Sequence, residues 1–516
     1  MRGDYNKKCN IWLMLLLLCG LAAAGSFRIE AVAAYDAYYG KKQVFADHYN
    51  MDVTLDADKD HLSEDIEIHI TNHLDNDVDK LYFRNMATSV INYDKVNYPS
   101  KENKKKNSSI TKVTDGNDKE FNVNYRKDKS VFYIDISDNV LKSGESMIVK
   151  LHAETDIPLR DDRFGCHKSK YGKIYMLSFC YPYLAANEEG KWDKDPYFDD
   201  GESRAGEVTD YSVRFTAPSN YTVAASGNEK TENGVTTIEA EKMRDFAIVA
   251  CDHMNKESFT VSGVTVNNYY LPGKYQKRYR KISKMVASDA IRLYTDQIGK
   301  YAYDELDMLP CPFGYAYGGM EYPGLVMNNV TAYYGKGTYT AKFDPCSLQE
   351  VVAHEIGHQW FYAAVGNDEY REGWLDEGFT TYLEKVVYGL ESTKSMRYVC
   401  SHEDPKLNFK KIKKEYNSMI KDANKVKKAR YVNIPVNKYP KKLSYGDREY
   451  DGGCMFLCEL KLTMGSDKFS KFIKDYYSSY TYKKATTADV VKLVRKYSNS
   501  KKVNRVINKY VSKKYL

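Results

Sequence analysis

From about residue 45 to 260, apolar and polar positions alternate. Ile66, Ile68 and Ile70 interleave with Glu67 and His69, Phe132, Ile134 and Ile136 repeat the pattern, and Tyr211, Val213 and Phe215 precede Ala217-Pro218. Successive side chains on a strand face opposite ways, so each segment predicts a half-buried strand. Short strands between turn signals predict an all-β, sandwich-like domain. Beyond about residue 265 the spacing becomes helical. Ile282, Met285, Val286, Leu293 and Tyr294 share a face, with Gly299 near the stop. Helical spacing continues to the end, where Thr486 and Asp489 can cap a helix carrying Val490, Leu493, Val494 and Tyr497. The pattern predicts a multidomain chain: an N-terminal β domain at 34–262 and a mainly α-helical domain at 263–516. No repeat of 20 to 50 residues is visible, which excludes a solenoid.

The first 33 residues stand apart. Arg2, Lys7 and Lys8 precede an apolar run from Ile11 to Ala24. Fourteen residues are short for a membrane span, which needs about 20, so the segment reads as an export signal, with an uncleaved anchor as the alternative. Ala31-Val32-Ala33 or Ala22-Ala23-Ala24 offers the cleavage site. No later apolar stretch is long enough to span a membrane. The expected locations are secreted or held at the cell surface or envelope. Cleavage would remove Cys9 and Cys19 and leave eight cysteines. Cys166 with Cys180, and Cys454 with Cys458, are either bridges or buried free thiols.

Composition narrows the classes further. The chain has 516 residues, 43% hydrophobic and 28% charged, which fits folded protein rather than disorder. A net charge of +7 is too small to imply nucleic-acid binding. The basic stretch from Lys410 to Lys428 reads as solvated helix surface, and Lys101 to Asn107 as a charged loop. Asn107-Ser108-Ser109, Asn220-Tyr221-Thr222 and Asn329-Val330-Thr331 fit the glycosylation pattern.

The chemistry concentrates in His354-Glu355-Ile356-Gly357-His358. Ser347 and Glu350 form a possible capping box upstream, which predicts a helix. Residues four apart share a helix face, so both imidazoles can hold one metal ion. Glu355 lies about 100° around the axis, free to address water at that ion. Glu377 follows His358 after eighteen intervening residues, within Trp374-Leu375-Asp376-Glu377-Gly378-Phe379. A second helix packed on the first would present it as a third ligand. Three protein ligands leave a position open, the composition of a catalytic zinc site rather than a structural one. Glu384, two turns further on, can either orient an imidazole or form an ordinary salt bridge. His69 lies within a strand pattern and reads as structural or solvent-facing.

These segments resemble the gluzincin aminopeptidases, the group of aminopeptidase N and the leukotriene hydrolase. The family pattern is HExxH, eighteen residues, then Glu, often within W-L-x-E-G-F. Its G-x-M-E-N segment is matched by Gly318-Gly319-Met320-Glu321-Tyr322, with Tyr322 in place of Asn. The resemblance implies that Gly318, Gly319, Met320 and Glu321 bind substrate, with Glu321 on the free α-amino group. The family's Y-x-x-G stretch is similar to Tyr450-Asp451-Gly452-Gly453, which implies Tyr450 as oxyanion donor, although Tyr445 lies nearby. Also implied are a thermolysin-like α+β metallopeptidase domain, one Zn²⁺ per chain held by His354, His358 and Glu377, and Glu355 as general base. The substrates would be peptides with a free N-terminus, with no nucleic acid and no stable membrane span after signal cleavage. The chain looks like a short, bacterial-type member. It stops after the metallopeptidase domain, so the large C-terminal helical domain of many relatives is expected to be absent and the site open to long peptides. The expected function is an exported zinc aminopeptidase. The alternatives are a zinc endopeptidase with an open cleft and a non-catalytic peptide-binding surface protein.

Overall fold

A computed structural model describes residues 42–516, apart from 98, 128, 196, 198–200, 202–205, 315–317, 330–344, 390–413, 415–430 and 440–444. The N-terminal segment read as an export signal, the Lys410–Lys428 stretch except Lys414, and part of the Asn329 glycosylation pattern lie outside those residues.

The N-terminal half is built from sheets. A seven-stranded sheet is centred on Val44–Asp56, which pairs antiparallel with His61–Asn72 and parallel with Thr209–Thr216. The alternation seen in the sequence sets its faces: Ile66, Ile68 and Ile70 are buried. Two four-stranded sheets pack around the same core, one containing Val131–Asp135 and the other Gly172–Ser178 and Ala247–Cys251. One helix, Met86–Asn97, interrupts this β architecture. Its buried face is short and its amphipathic signal weak, so periodicity alone does not reveal it.

The C-terminal half is mainly helical, around a five-stranded mixed sheet. Its strands run Asn255–Val261, Val264–Tyr270, Glu305–Cys311, Leu325–Asn329 and, at the edge, Gly319–Met320. The helix Gln276–Gln297 carries the expected face, with Ile282, Val286, Leu293 and Tyr294 buried. It docks against the motif helix, Pro345–Gly357, where the Tyr294 hydroxyl donates to the Ala353 carbonyl at 2.9 Å. The Trp360 indole donates to the Gly299 carbonyl at 2.8 Å and fixes the far end of that contact. Thr486 and Asp489 form a capping box on the helix Thr487–Tyr497. The motif helix begins earlier than expected. Pro345 and Cys346 are already helical, so Ser347 lies within the helix and is not its cap.

Cys166, Cys180, Cys454 and Cys458 are all free and buried, so neither pair forms a bridge. Cys346, at the start of the motif helix, is disulfide-bonded. No described helix is long and apolar enough to cross a membrane.

Candidate active site

Three helices and one sheet edge meet in a cavity of about 640 Å³. The motif helix supplies His354, Glu355 and His358. The ligand helix, Trp374–Tyr382, supplies Glu377. The tyrosine helix, Tyr445–Met464, supplies Tyr450, and the edge strand Gly319–Met320 leads into Glu321. The nine residues to which the sequence assigned a metal, catalytic or substrate-binding role all line this cavity, as do Glu384 and Tyr445.

Close approach of the helices rests on glycines. A Cβ on Gly357 would stand 3.0 Å from the Thr380 methyl, so the motif and ligand helices pack almost backbone to side chain. A Cβ on Gly378 would lie 2.7 Å from the Gly453 Cα, so the ligand and tyrosine helices touch backbone to backbone. Those contacts bring Glu377 to both imidazoles and Tyr450 to Glu377.

The three donors converge. His354 Nε2 lies 3.1 Å from His358 Nε2 and 3.2 Å from Glu377 Oε2, and His358 Nε2 lies 3.3 Å from the same oxygen. Ligands at about 2.0–2.1 Å around a tetrahedral ion stand about 3.3–3.4 Å apart, so this triangle has the size of one face of a zinc site. The outer ring nitrogens are already held. His354 Nδ1 meets Glu384 Oε2 at 3.1 Å, and His358 Nδ1 meets the Phe361 carbonyl at 3.1 Å with Thr380 Oγ1 at 3.2 Å. Donation from each Nδ1–H leaves the Nε2 lone pairs facing the common point, the arrangement metal-ligating histidines use. Of the two readings open for Glu384, the contact is with His354. A π-helical segment, Leu383–Tyr388, begins one residue before Glu384, departing from α-helical spacing where this carboxylate meets His354.

The electrostatics favour a positive charge at that point. Burial opposes protonation of His354, but the Glu377 and Glu384 carboxylates outweigh it and push its pKa up to about 10. Burial holds His358 below its usual value, offset only in part by Glu377. Burial also opposes ionisation of Glu377, yet the two imidazoles pull it down to about 2. The donor set therefore fits a divalent cation by distance, by lone-pair direction and by charge.

Glu355 is buried, with its carboxylate against the edge strand. A Cβ on Gly319 would stand 2.5 Å from Glu355 Cδ, so this glycine makes the room the carboxylate occupies. Gly318 is less constrained, its Cβ position being 3.2 Å from a Val351 methyl. Glu321, Glu355 and His358 each bring one donor atom within 4.8 Å of the others, which places Glu321 beside the metal-ligating group without joining it to Glu377.

Tyr450 and Tyr445 now separate. The Tyr450 ring stacks on His354 at 5.5 Å and 9°, and its hydroxyl hydrogen-bonds Glu377. Tyr445 turns its ring end toward Gly201 and Gly373, where added Cβ atoms would come within 2.9 Å. Burial first, and the carboxylates of Glu377, Glu321 and Glu355 after it, keep the Tyr450 hydroxyl protonated and able to donate.

Gln359 was not singled out in the sequence. Its buried amide donates to the Glu321 and Tyr322 carbonyls at 3.3 and 3.1 Å and accepts from the Gly324 N–H at 2.9 Å. It ties the Glu321 segment to the motif helix. Its place directly after HExxH was the only available signal, and a lone glutamine carries no recognisable spacing.

The peptidase family M1 domain matches residues 285–510. Endoplasmic reticulum aminopeptidase 2 of Homo sapiens is 26% identical over 247 residues, covering 47% of this chain and 24% of that protein. Leucine aminopeptidase 2 of Yarrowia lipolytica is 27% identical over 214 residues, covering 40% of this chain and 31% of that one. The matches thus span under a third of those relatives' length. Among solved structures, an M1 zinc metallopeptidase from Deinococcus radiodurans aligns with a TM-score of 0.59 at 14% identity, over 91% of this chain and 95% of that one. Yeast LTA4 hydrolase in complex with bestatin aligns with a TM-score of 0.63 at 15% identity, over 90% and 66%. At such identities the structural likeness shows a shared fold, the two-part metallopeptidase architecture. Residues 285–510 thus match the peptidase family M1 domain, and the HExxH, Glu377 and Gly318–Glu321 segments within them are similar to the motifs of the gluzincin aminopeptidases.

Proposed function

We propose that this protein is an exported zinc aminopeptidase that removes the N-terminal residue from peptides. The observation that carries the reading is the convergence of His354, His358 and Glu377 at 3.1–3.3 Å beside Glu321, Glu355 and Tyr450 in one cavity. His354, His358 and Glu377 would hold one Zn²⁺. When bound, Zn²⁺ supplies Lewis-acid polarisation of the scissile carbonyl and acidifies water. Glu355 takes the proton from the attacking water and returns it to the leaving amine. Tyr450 donates to the oxyanion that develops at the carbonyl. Glu321 pairs with the substrate's α-ammonium, so the cut falls one residue in. Among the described residues the edge strand Gly319–Met320 has an unpaired side, on which an extended peptide can add its own hydrogen bonds.

Glu321 favours this reading over an endopeptidase, because its carboxylate rewards a free amino terminus. The full set of ligands and Glu355 favours it over a non-catalytic scaffold. The apolar run from Ile11 to Ala24 supports export, and the disulfide at Cys346 agrees with an oxidising compartment. Fractionating cells that express the full chain, with the mature N-terminus sequenced, tests export; an intact N-terminus in the cytosolic fraction rejects it.

The reaction is tested with aminoacyl-4-nitroanilides and metal-stripped protein. Adding back one equivalent of Zn²⁺ is expected to restore hydrolysis, and restoration is expected to fail in His358→Ala. Full activity in the stripped protein would contradict the proposal.

A further inference from the structure

The net charge of +7 is unevenly distributed along the chain. Residues 466–516 hold fourteen Lys and Arg against three Asp, a net +11, and the remaining 465 residues are net −4. A solvated surface ordinarily mixes both signs, so solubility does not require this segregation. The segment folds into three helices, Ser466–Tyr480, Thr487–Tyr497 and Lys501–Tyr510, that turn apolar faces inward, with Phe472, Val494 and Ile507 buried. Their outer faces carry the cations. Lys468, Lys471, Lys492, Lys501, Lys502 and Arg505 are exposed, and none of them meets a carboxylate among the described residues.

Contacts between the helices join these outer faces. Lys496 on the second helix pairs with Asp475 on the first at 2.7 Å, and Lys492 and Lys471 each lie one turn before those two residues. Arg495 donates to the Asn504 side chain on the third helix at 3.1 Å, next to Arg505. Apolar side chains border the same surface. Among the described residues, Leu462 and Leu516 are the large hydrophobic side chains exposed in the C-terminal half, at 67% and 54%. Leu462 lies one turn beyond Glu459, which pairs with Lys509 of the third helix at 2.5 Å. Leu516 follows Lys513 and Lys514. Cations alone would suit any polyanion. Exposed leucines beside them gain nothing from a solvated polymer, but can enter the boundary between headgroups and acyl chains.

We propose that the outer face of the last three helices, bordered by Leu462, is a docking surface for an anionic lipid bilayer. Each Lys or Arg held near such a surface adds an attraction that decays within a Debye length, and the leucine adds a shallow apolar anchor. None of these residues lines the active-site cavity, so docking leaves that cavity's walls unchanged. The surface would hold the protein at a membrane without a spanning helix. It does not rest on the proposed peptidase reaction.

The test is co-sedimentation with vesicles of phosphatidylcholine alone, or with roughly one-third phosphatidylglycerol. The protein used is zinc-loaded and starts at Ala34, which keeps every described residue and removes the apolar Ile11–Ala24 run that can bind lipid by itself. Pelleting with anionic vesicles is expected, with none on neutral vesicles and loss at high salt. Lys492→Glu combined with Lys501→Glu and Lys502→Glu should weaken partitioning about a hundredfold. Lys501 and Lys502 open their helix, where a carboxylate is favoured, so this variant should fold. Leu462→Gln should weaken partitioning about tenfold. Lys101→Glu with Lys104→Glu and Lys105→Glu, exposed in the β half, makes the same change in net charge and should cost several-fold at most. All variants should keep the wild-type Tm and nitroanilide hydrolysis. Equal pelleting on neutral vesicles, or equal losses in the two triple variants, would overturn the surface. Retention on polyphosphate unaffected by Leu462→Gln, without pelleting on anionic vesicles, would overturn lipid as the partner.

Discussion

At the residue scale, the site depends on small atoms in particular places. Gly319 has no Cβ where the Glu355 carboxylate sits. Gly319→Ala would displace a flexible side-chain end and not backbone, so the fold should survive with little loss in Tm. The base would move by about 1 Å, and kcat should fall roughly 100-fold with zinc content unchanged. Steady-state kinetics beside metal analysis checks this; unaltered kcat would show that Glu355 does not act from that position. Tyr450 and Tyr445 give a second contrast. Tyr450→Phe should cost about 100- to 1,000-fold in kcat with little change in KM. Tyr445→Phe should cost far less, since its hydroxyl end lies toward Gly201 and Gly373. The ligands and Glu355 were legible in the sequence because HExxH and the spacing to Glu377 encode a geometry on helices. The choice between the tyrosines was not, because both lie on one helix and only packing shows which hydroxyl reaches Glu377. Gln359 was hidden for the same reason: its partners are backbone atoms of Glu321, Tyr322 and Gly324, distant in sequence.

At the element scale, helices are positioned by glycine contacts and by caps. The backbone-to-backbone contact of Gly378 with Gly453 sets the distance between Glu377 and Tyr450. Gly378→Ala should force the ligand and tyrosine helices apart, lowering stability by about 1–3 kcal/mol and reducing activity together. Chemical denaturation reads the first and the nitroanilide assay the second; a stable, fully active variant would show that this contact does not set the site. The strands were legible because a half-buried sheet imposes a period of two, as Ile66, Ile68 and Ile70 show. The helix Met86–Asn97 was not, because its buried positions include Thr88, Ser89 and Asp94 and so blur the apolar stripe. The Ser347–Glu350 capping signal pointed to the correct helix but the wrong start, since Pro345 and Cys346 are already helical.

At the scale of the whole molecule, a buried guanidinium joins the two halves. Arg244, following the strand Val235–Met243, donates to the carbonyls of Tyr362, Gly206 and Lys483 at 2.8, 3.0 and 3.1 Å. Two of those carbonyls belong to the metallopeptidase half. Arg244→Met would fill the space but leave the buried carbonyls without donors, a cost of about 3 kcal/mol. The denaturation midpoint should drop accordingly, with kcat per zinc-loaded molecule nearly unchanged. A large loss in kcat without a loss in stability would mean that Arg244 acts on the cleft itself.

The most direct single measurement compares one peptide carrying a free N-terminus with its N-acetylated twin, using zinc-loaded protein and Glu355→Ala and Glu321→Gln controls. Release of the first residue from the free peptide alone is expected, with no turnover in Glu355→Ala and a raised KM in Glu321→Gln. Internal cleavage of both peptides would contradict the aminopeptidase reading and the role of Glu321, while leaving the metal site in place.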